Sequence, residues 1–456
     1  MKKFTKVLSL FLAVILCVSC CIPSAFAAPN ENASEKAKAA QQKNAEKKAA
    51  NKEKAVDNKK TAYAIFSEDD YSLTFMRSNK EPVVGKKYKG KTISAVYSGF
   101  EDTLYPSFSE EANPAAPWYR DEEGNSVETA QLVQSVKFDD VIQPLSTAGW
   151  FTGFSNCSYI DLRNLDTSLV TDMHTMFYGA GSNVDSFEIV GLRDLDCTKV
   201  VNMEDMFVGA ANNASTWSLG DLTGWNLPAV ESMSTMFFAF ASNSPSDFVF
   251  EIDSWNAPNV TDMSYMFRYA GRQAPNWSMS IKNLNTSSLL SMHYMFQQTG
   301  YDSQTWNMEI ENWDTSNVLD MGCVFHLSGY NSQSWSVSGL EDLNTQSVET
   351  FNNMFSMSGR NASSWHVGDL SAWQTGNCSD FSYMFYESGS PSTNWYVGDI
   401  CSWDVSKCWI FNFMFYKAGI NSNYFLDLSD WDYTCLPSRF KNFDTGVGHK
   451  IIGPFE

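Results

Sequence analysis

Residues 259–271 read NVTDMSYMFRYAG, and the chain says nearly the same thing elsewhere: AVESMSTMFFAFA at 229–241 and NVLDMGCVFHLSG at 317–329. A catalytic motif normally occurs once per active site, whereas a phrase that returns at a fixed interval is architecture. Aligned on the Phe of the phrase, the copies fall at Phe177, Phe207, Phe237, Phe267, Phe296, Phe325, Phe355, Phe385 and Phe415, always 29 or 30 residues apart. Nine copies at one period predict a solenoid or a closed array.

Within one copy, Val260, Met263, Met266, Phe267 and Ala270 fall at i, i+3, i+6, i+7 and i+10, the spacing of one face of a short helix. Polar residues that cap free backbone N–H groups precede it, as in DTSNV at 314–318. Gly follows in seven copies (Gly181, Gly271, Gly300, Gly329, Gly359, Gly389, Gly419), at the left-handed position that stops a helix. Between these phrases runs an alternating segment, such as WNMEIENW at 306–313 or FVFEIDSW at 248–255, which reads as a strand. One strand and one short helix per repeat predict an α/β solenoid, with a parallel sheet on one side and helices on the other.

The phrase W-D-T-S-N-V-x-x-M-x-x-M-F, nearly complete as WDTSNVLDMGCVF at 313–325, resembles the BspA-type leucine-rich-repeat surface proteins of bacteria. The stretch 146–177 resembles the entry into their repeat array. The resemblance covers roughly residues 65–440. It implies a leucine-rich-repeat-like horseshoe of about nine repeats, secreted or held at the cell surface, with an adhesive role toward a protein partner.

The rest of the chain divides by composition. Residues 1–27 carry Lys2, Lys3 and Lys6, an apolar run from Val7 to Ser19 and the small-residue site Ala25-Phe26-Ala27, the pattern of a cleaved secretory signal; Cys20 or Cys21 offers the alternative of a lipidated export signal. No later apolar run is long enough to span a bilayer. Residues 28–60 form a Lys/Ala-rich spacer without aromatic residues, unable to bury a core. Residues 61–150 read as a β-rich capping region, 151–436 as the repeat array and 437–456 as a C-terminal cap. The formal net charge is −20, and removing the three signal lysines and the +4 of residues 31–60 leaves −27 for everything from Thr61 onward. That charge excludes nucleic acid as a partner of the array, because phosphate would be repelled. The basic spacer suits an anionic cell-wall polymer instead.

Several features invite a sharper function. Twelve of the fifteen tryptophans fall into two repeat columns, one running from Trp217 to Trp395 and one from Trp225 to Trp431, which predicts stacked core rather than sugar-binding platforms. Cys378 and Cys408 occupy the column of Val260 and Val318. Helices packed side by side lie about 8–10 Å apart, too far for a disulfide, so these read as buried thiols. No H-E-x-x-H, G-x-S-x-G, phosphate loop or C-x-x-C occurs, and neither an enzyme, a cofactor nor a metal centre is expected.

One column does not fit core packing. Asp221, Glu251, Glu309, Asp369, Asp399 and Asp427 recur at one outward strand position, alternating with Gly191, Ser280 and Gly339. On strands about 4.8 Å apart they would form a ladder of like charges, unfavourable unless something uses it. These six are the candidate ligand-binding residues, for a basic protein surface or for calcium. The expectation is a non-enzymatic binding or adhesion protein that recognises its partner on the sheet face. A structural envelope component held by its basic arm, or a glycan-binding module, is the alternative.

Overall fold

The computed structural model describes residues 56–57, 59–103, 116–118, 129–432, 437–447 and 450–452; the expected signal at 1–27 and nearly all of the expected spacer at 28–60 lie outside them. The first described elements are β1 (Thr61–Ser67), β2 (Ser72–Ser78), β3 (Lys87–Tyr88), β4 (Lys91–Thr92), β5 (Ala95–Tyr97) and β6 (Ser135–Phe138). The repeat contributes β7 (Tyr159–Asp161), β8 (Ser186–Val190), β9 (Thr216–Ser218), β10 (Phe248–Asp253), β11 (Asn276–Lys282), β12 (Thr305–Glu311), β13 (Ser334–Ser338) and β14 (Ser364–His366). The chain closes with β15 (Phe425–Asp427) and β16 (Lys450–Ile452).

β1 pairs antiparallel with β2 and β5, and then β2, β6, β7, β8 and β9 run parallel in the same sheet. β10 to β14 form a second, wholly parallel sheet in which each residue faces its equivalent one repeat on: Trp277, Trp306, Trp335 and Trp365 stand in one row. Among the described residues no helix is long and apolar enough to cross a membrane.

The expected helices are absent. Over 259–271 the backbone makes consecutive β-turns. The N–H groups of Met263, Tyr265, Phe267 and Tyr269 donate to Ser291, His293, Met295 and Gln297 carbonyls on the next coil, at 2.9–3.0 Å. The N–H groups of Met266, Arg268 and Ala270 donate back to Met263, Tyr265 and Phe267. Every second donor therefore leaves for a neighbour, and no i→i−4 series can close. Tyr265 and Tyr269 take φ of 62° and 64°, values closed to an α-helix. A coil of such turns brings a side chain inward every three or four residues, as a helix does, and the apolar spacing cannot tell the two apart.

The fold is therefore a β-solenoid of about seven turns, not an α/β leucine-rich-repeat horseshoe of nine repeats. The phrase recurs in both end coils, which the flanking segments take over. At the start, β7 joins the sheet of β1 and β2. At the end, Phe411, Phe413, Phe415 and Lys417 donate to the backbone of 439–445, and Phe440 stacks on Phe411 at 4.6 Å.

Stacking of like on like builds the core. The Phe column runs unbroken from Phe177 to Phe415 with ring centroids 5.0–5.7 Å apart. Trp277, Trp306, Trp335, Trp365 and Trp395 form a second buried stack at 4.6–5.5 Å. Trp225 and Trp255 through Trp431 are buried as well, while Trp217 is half-buried. Each indole N–H of the Trp277–Trp395 stack finds a partner inside, as Trp306 Nε1 does on Thr299 Oγ1 at 3.1 Å. The glycine after the turns is left-handed, and its missing side chain matters: a Cβ on Gly329 would lie 2.7 Å from Trp306 Cβ and 2.8 Å from Trp335 Cδ1.

Trp306→Ala should cost on the order of 3–5 kcal/mol in denaturant unfolding. Gly329→Ala should also destabilise, against the usual gain from Gly→Ala at a compatible site. A neutral result for either would break the stacked-core account.

Candidate functional site

The six carboxylates all reach solvent, but they do not stand in one ladder. Glu251 pairs with Ser280, Ser280 with Glu309, and Glu309 with Ser338, so on the sheet acids alternate with serines. Ser280 Oγ donates to Glu309 Oε2 at 3.4 Å, and Lys282 Nζ lies 3.3 Å from the same oxygen. Glu309 holds the Lys282 ammonium above its ordinary pKa. Between these strands no carboxylate stands directly opposite another; Asp369, Asp399 and Asp427 remain on consecutive coils.

The other four acids have a local task. Asp369 and Asp399 precede the 3-10 turns Leu370–Ala372 and Ile400–Ser402, and their carboxylates accept the N–H of Ser371 at 3.0 Å and of Cys401 at 3.2 Å. Asp427 accepts the N–H of Ser429 at 3.0 Å. Asp221 accepts both the N–H and the hydroxyl of Thr223, at 2.9 and 2.6 Å, and pairs with Arg193. Burial pulls the Asp221 carboxyl up, but Thr223 and Arg193 outweigh it and hold it below its usual value. The Ser371 N–H and hydroxyl do the same for Asp369. These are side-chain caps of tight turns. The signal was present in the sequence as Asp-x-Thr/Ser at 221–223, 369–371 and 427–429. Among the described residues no three His, Cys, Asp or Glu side chains converge on a point that could hold a metal ion, which leaves the calcium version of the column without support.

The turn face holds a cluster that the helical reading hid. The Arg268 guanidinium lies among the rings of Phe238, Tyr265, Tyr269 and Tyr294, with its Cζ 4.7–5.9 Å from their centroids, and donates to Tyr269 Oη at 2.9 Å. On the next two coils the same column carries Gln297 and His326. Arg268 Nε, Gln297 Oε1 and His326 Nδ1 are all buried without a hydrogen-bond partner. Burial, with the Arg268 charge adding to it, pushes the His326 imidazole down to about 4. One column further on, Arg272 covers Tyr301, Tyr301 stacks on Tyr330 at 4.8 Å and 1°, and Arg360 covers Tyr330. Tyr301 and Tyr330 meet face to face with an arginine over each, and Tyr269 meets Phe238 edge to face at 89° under Arg268. A sugar needs a free ring face, so these tyrosines offer hydroxyls and edges instead.

Asp369→Ala should lower stability by about 0.5–1 kcal/mol while Asp369→Asn stays close to wild type, because Asn caps as well as Asp. Equal effects of the two would mean that the carboxylate is not a cap. His326 is neutral in the fold, whereas in the unfolded chain it protonates near 6.5. Its contribution is complete above that pH and is lost progressively as pH falls toward 4. His326→Gln should therefore flatten the decline in Tm between pH 6.5 and 5, above the range where most carboxylates titrate.

No curated protein and no solved structure matches the chain. The profile of one family does, in three overlapping stretches, 146–273, 238–342 and 327–446, which together span the repeat array. Its description is a Mycoplasma protein of unknown function, DUF285, and the chain belongs to this repeat family.

Proposed function

We propose that the chain is an exported, non-enzymatic surface protein of the BspA-like kind, which binds a protein partner on the open face of its parallel sheet. The observation that carries this reading is the row structure of that face. Outward residues stand in register from coil to coil: Thr305 opposite Ser334 and Ser364, Asn307 opposite Ser336 and His366, Glu309 opposite Ser338. They present a fixed grid of hydroxyl, amide and carboxylate groups about 4.8 Å apart. Such a grid is complementary to another protein's surface, where many weak polar contacts add up. The charge of the array favours a basic partner. The phrase at 313–325 and the export-type leader support placement outside the cell.

The glycan-binding alternative loses support from the stacked rings, whose faces are occupied by their neighbours. The structural-envelope alternative rests on the Lys-rich arm at 28–60, nearly all of which lies outside the described residues, and it remains the second reading.

Immobilised mature chain should capture a basic surface or matrix protein in a salt-sensitive manner. Glu251→Gln with Glu309→Gln tests the face without touching the turn caps. It should weaken capture roughly two- to tenfold, the range for two exposed ion pairs, and leave stability unchanged. Undiminished capture by the double variant would remove Glu251 and Glu309 from the interface.

A further inference from the structure

Cys378 and Cys408 are buried thiols in the same column of consecutive coils. Packed helices would hold them too far apart to bond, whereas the coil geometry brings them together. Two residues further on, Asp380 and Ile410 face each other in a parallel bridge, and the Trp409 N–H donates to the Ser379 carbonyl at 2.9 Å, so residue 378 stands opposite residue 408. The two sit in identical turns: the Cys378 N–H donates to the Thr375 carbonyl at 2.8 Å, and the Cys408 N–H to the Val405 carbonyl at 2.9 Å. Each Sγ lies 3.5 Å from the carbonyl oxygen two residues ahead, Asp380 and Ile410 respectively. The thiols therefore share one side-chain direction. Cys408 Sγ also lies 3.5 Å from the Ser379 carbonyl and so already reaches the coil that holds Cys378. Parallel neighbours are about 4.8 Å apart, inside the roughly 4.4–6.8 Å Cα separation that a disulfide spans.

We propose that Cys378 and Cys408 form a disulfide that staples two consecutive coils when the chain folds in the presence of a disulfide oxidant. With glutathione disulfide, the Cys408 thiolate attacks one glutathione sulfur and releases a glutathione thiolate, leaving a mixed disulfide. The Cys378 thiolate then attacks the Cys408 sulfur and displaces the second glutathione. Two protein thiols lose two protons and two electrons, and one glutathione disulfide becomes two glutathiones. Burial raises the Cys378 thiol well above its ordinary pKa in the closed coil, with the neighbouring Cys408 adding to it. Exchange therefore occurs as the coil closes or when it opens, because the reactive thiolate is suppressed in the folded state. Formation in the cell depends on the export proposed above; formation in a refolding buffer does not.

The test uses the full mature chain carrying Cys401→Ser, which removes the other cysteine between Arg360 and Lys407. The protein is refolded in reduced and oxidised glutathione, alkylated, and digested with trypsin without reduction. The expected product is peptide 361–407 joined to peptide 408–417, each now holding one cysteine, and separated by reductant. Recovery of both cysteines alkylated or singly glutathionylated from folded protein would overturn the proposal. So would joining of 408–417 to 418–439, which carries Cys435. If the pair closes in the refolding buffer but is reduced in protein alkylated directly from cells, the export reading fails and the staple stands.

Discussion

The structure depends on one constraint: every second N–H of the turn phrase must find a carbonyl on the next coil. Met263, Tyr265, Phe267 and Tyr269 each meet that demand through the residue 28 positions ahead, and the strands β10 to β14 meet it on the opposite side. Coils held in register by two such ladders place each residue over its counterpart. The repeat length is consequently held at 29 or 30, since a slip of one residue would turn the Trp stack out to solvent. Identical side chains then meet by construction. Aromatic residues profit from this more than others, because rings at about 5 Å gain area burial and favourable ring contact together.

The same constraint accounts for what could and could not be read from the chain. The period, the two tryptophan columns, the Phe column and the left-handed glycine were all legible, because each depends only on residue type recurring at an interval. The conformation of the phrase was not. Val260, Met263, Met266, Phe267 and Ala270 would face inward on a helix and do face inward on a series of turns. The distinction lies at Tyr265, Tyr294, Cys323 and Tyr383, which take positive φ with no glycine to announce it. Each costs of the order of 1 kcal/mol or more locally, and the hydrogen bonds to the neighbouring coil hold it in place. No isolated segment contains that information, because the partner is 28 or 29 residues away.

The acidic column shows a different limit. Its regularity was real, yet regularity alone does not distinguish a ligand face from a turn cap. Asp221, Asp369, Asp399 and Asp427 recur because the chain must bend at that point in each coil, and the carboxylate satisfies the N–H two residues ahead. Glu251 and Glu309 stand on strands, where the carboxylate has no turn to cap. The turn-face cluster was illegible for a related reason: its members lie about thirty residues apart in the chain and meet only because the coils stack. On stacked coils Arg268 reaches rings from three of them.

Because each coil rests only on its neighbours, the caps and the repeat carry separate burdens. The segment before β7 and the segment after Trp431 close the ladders; the coils between them share the turn phrase. Duplication of one 30-residue unit would leave every hydrogen bond of the others intact and would add one row to each exposed column. Selection could thus lengthen or shorten the outer surface by a gene-level copying error, without redesigning the core, in steps of about 4.8 Å.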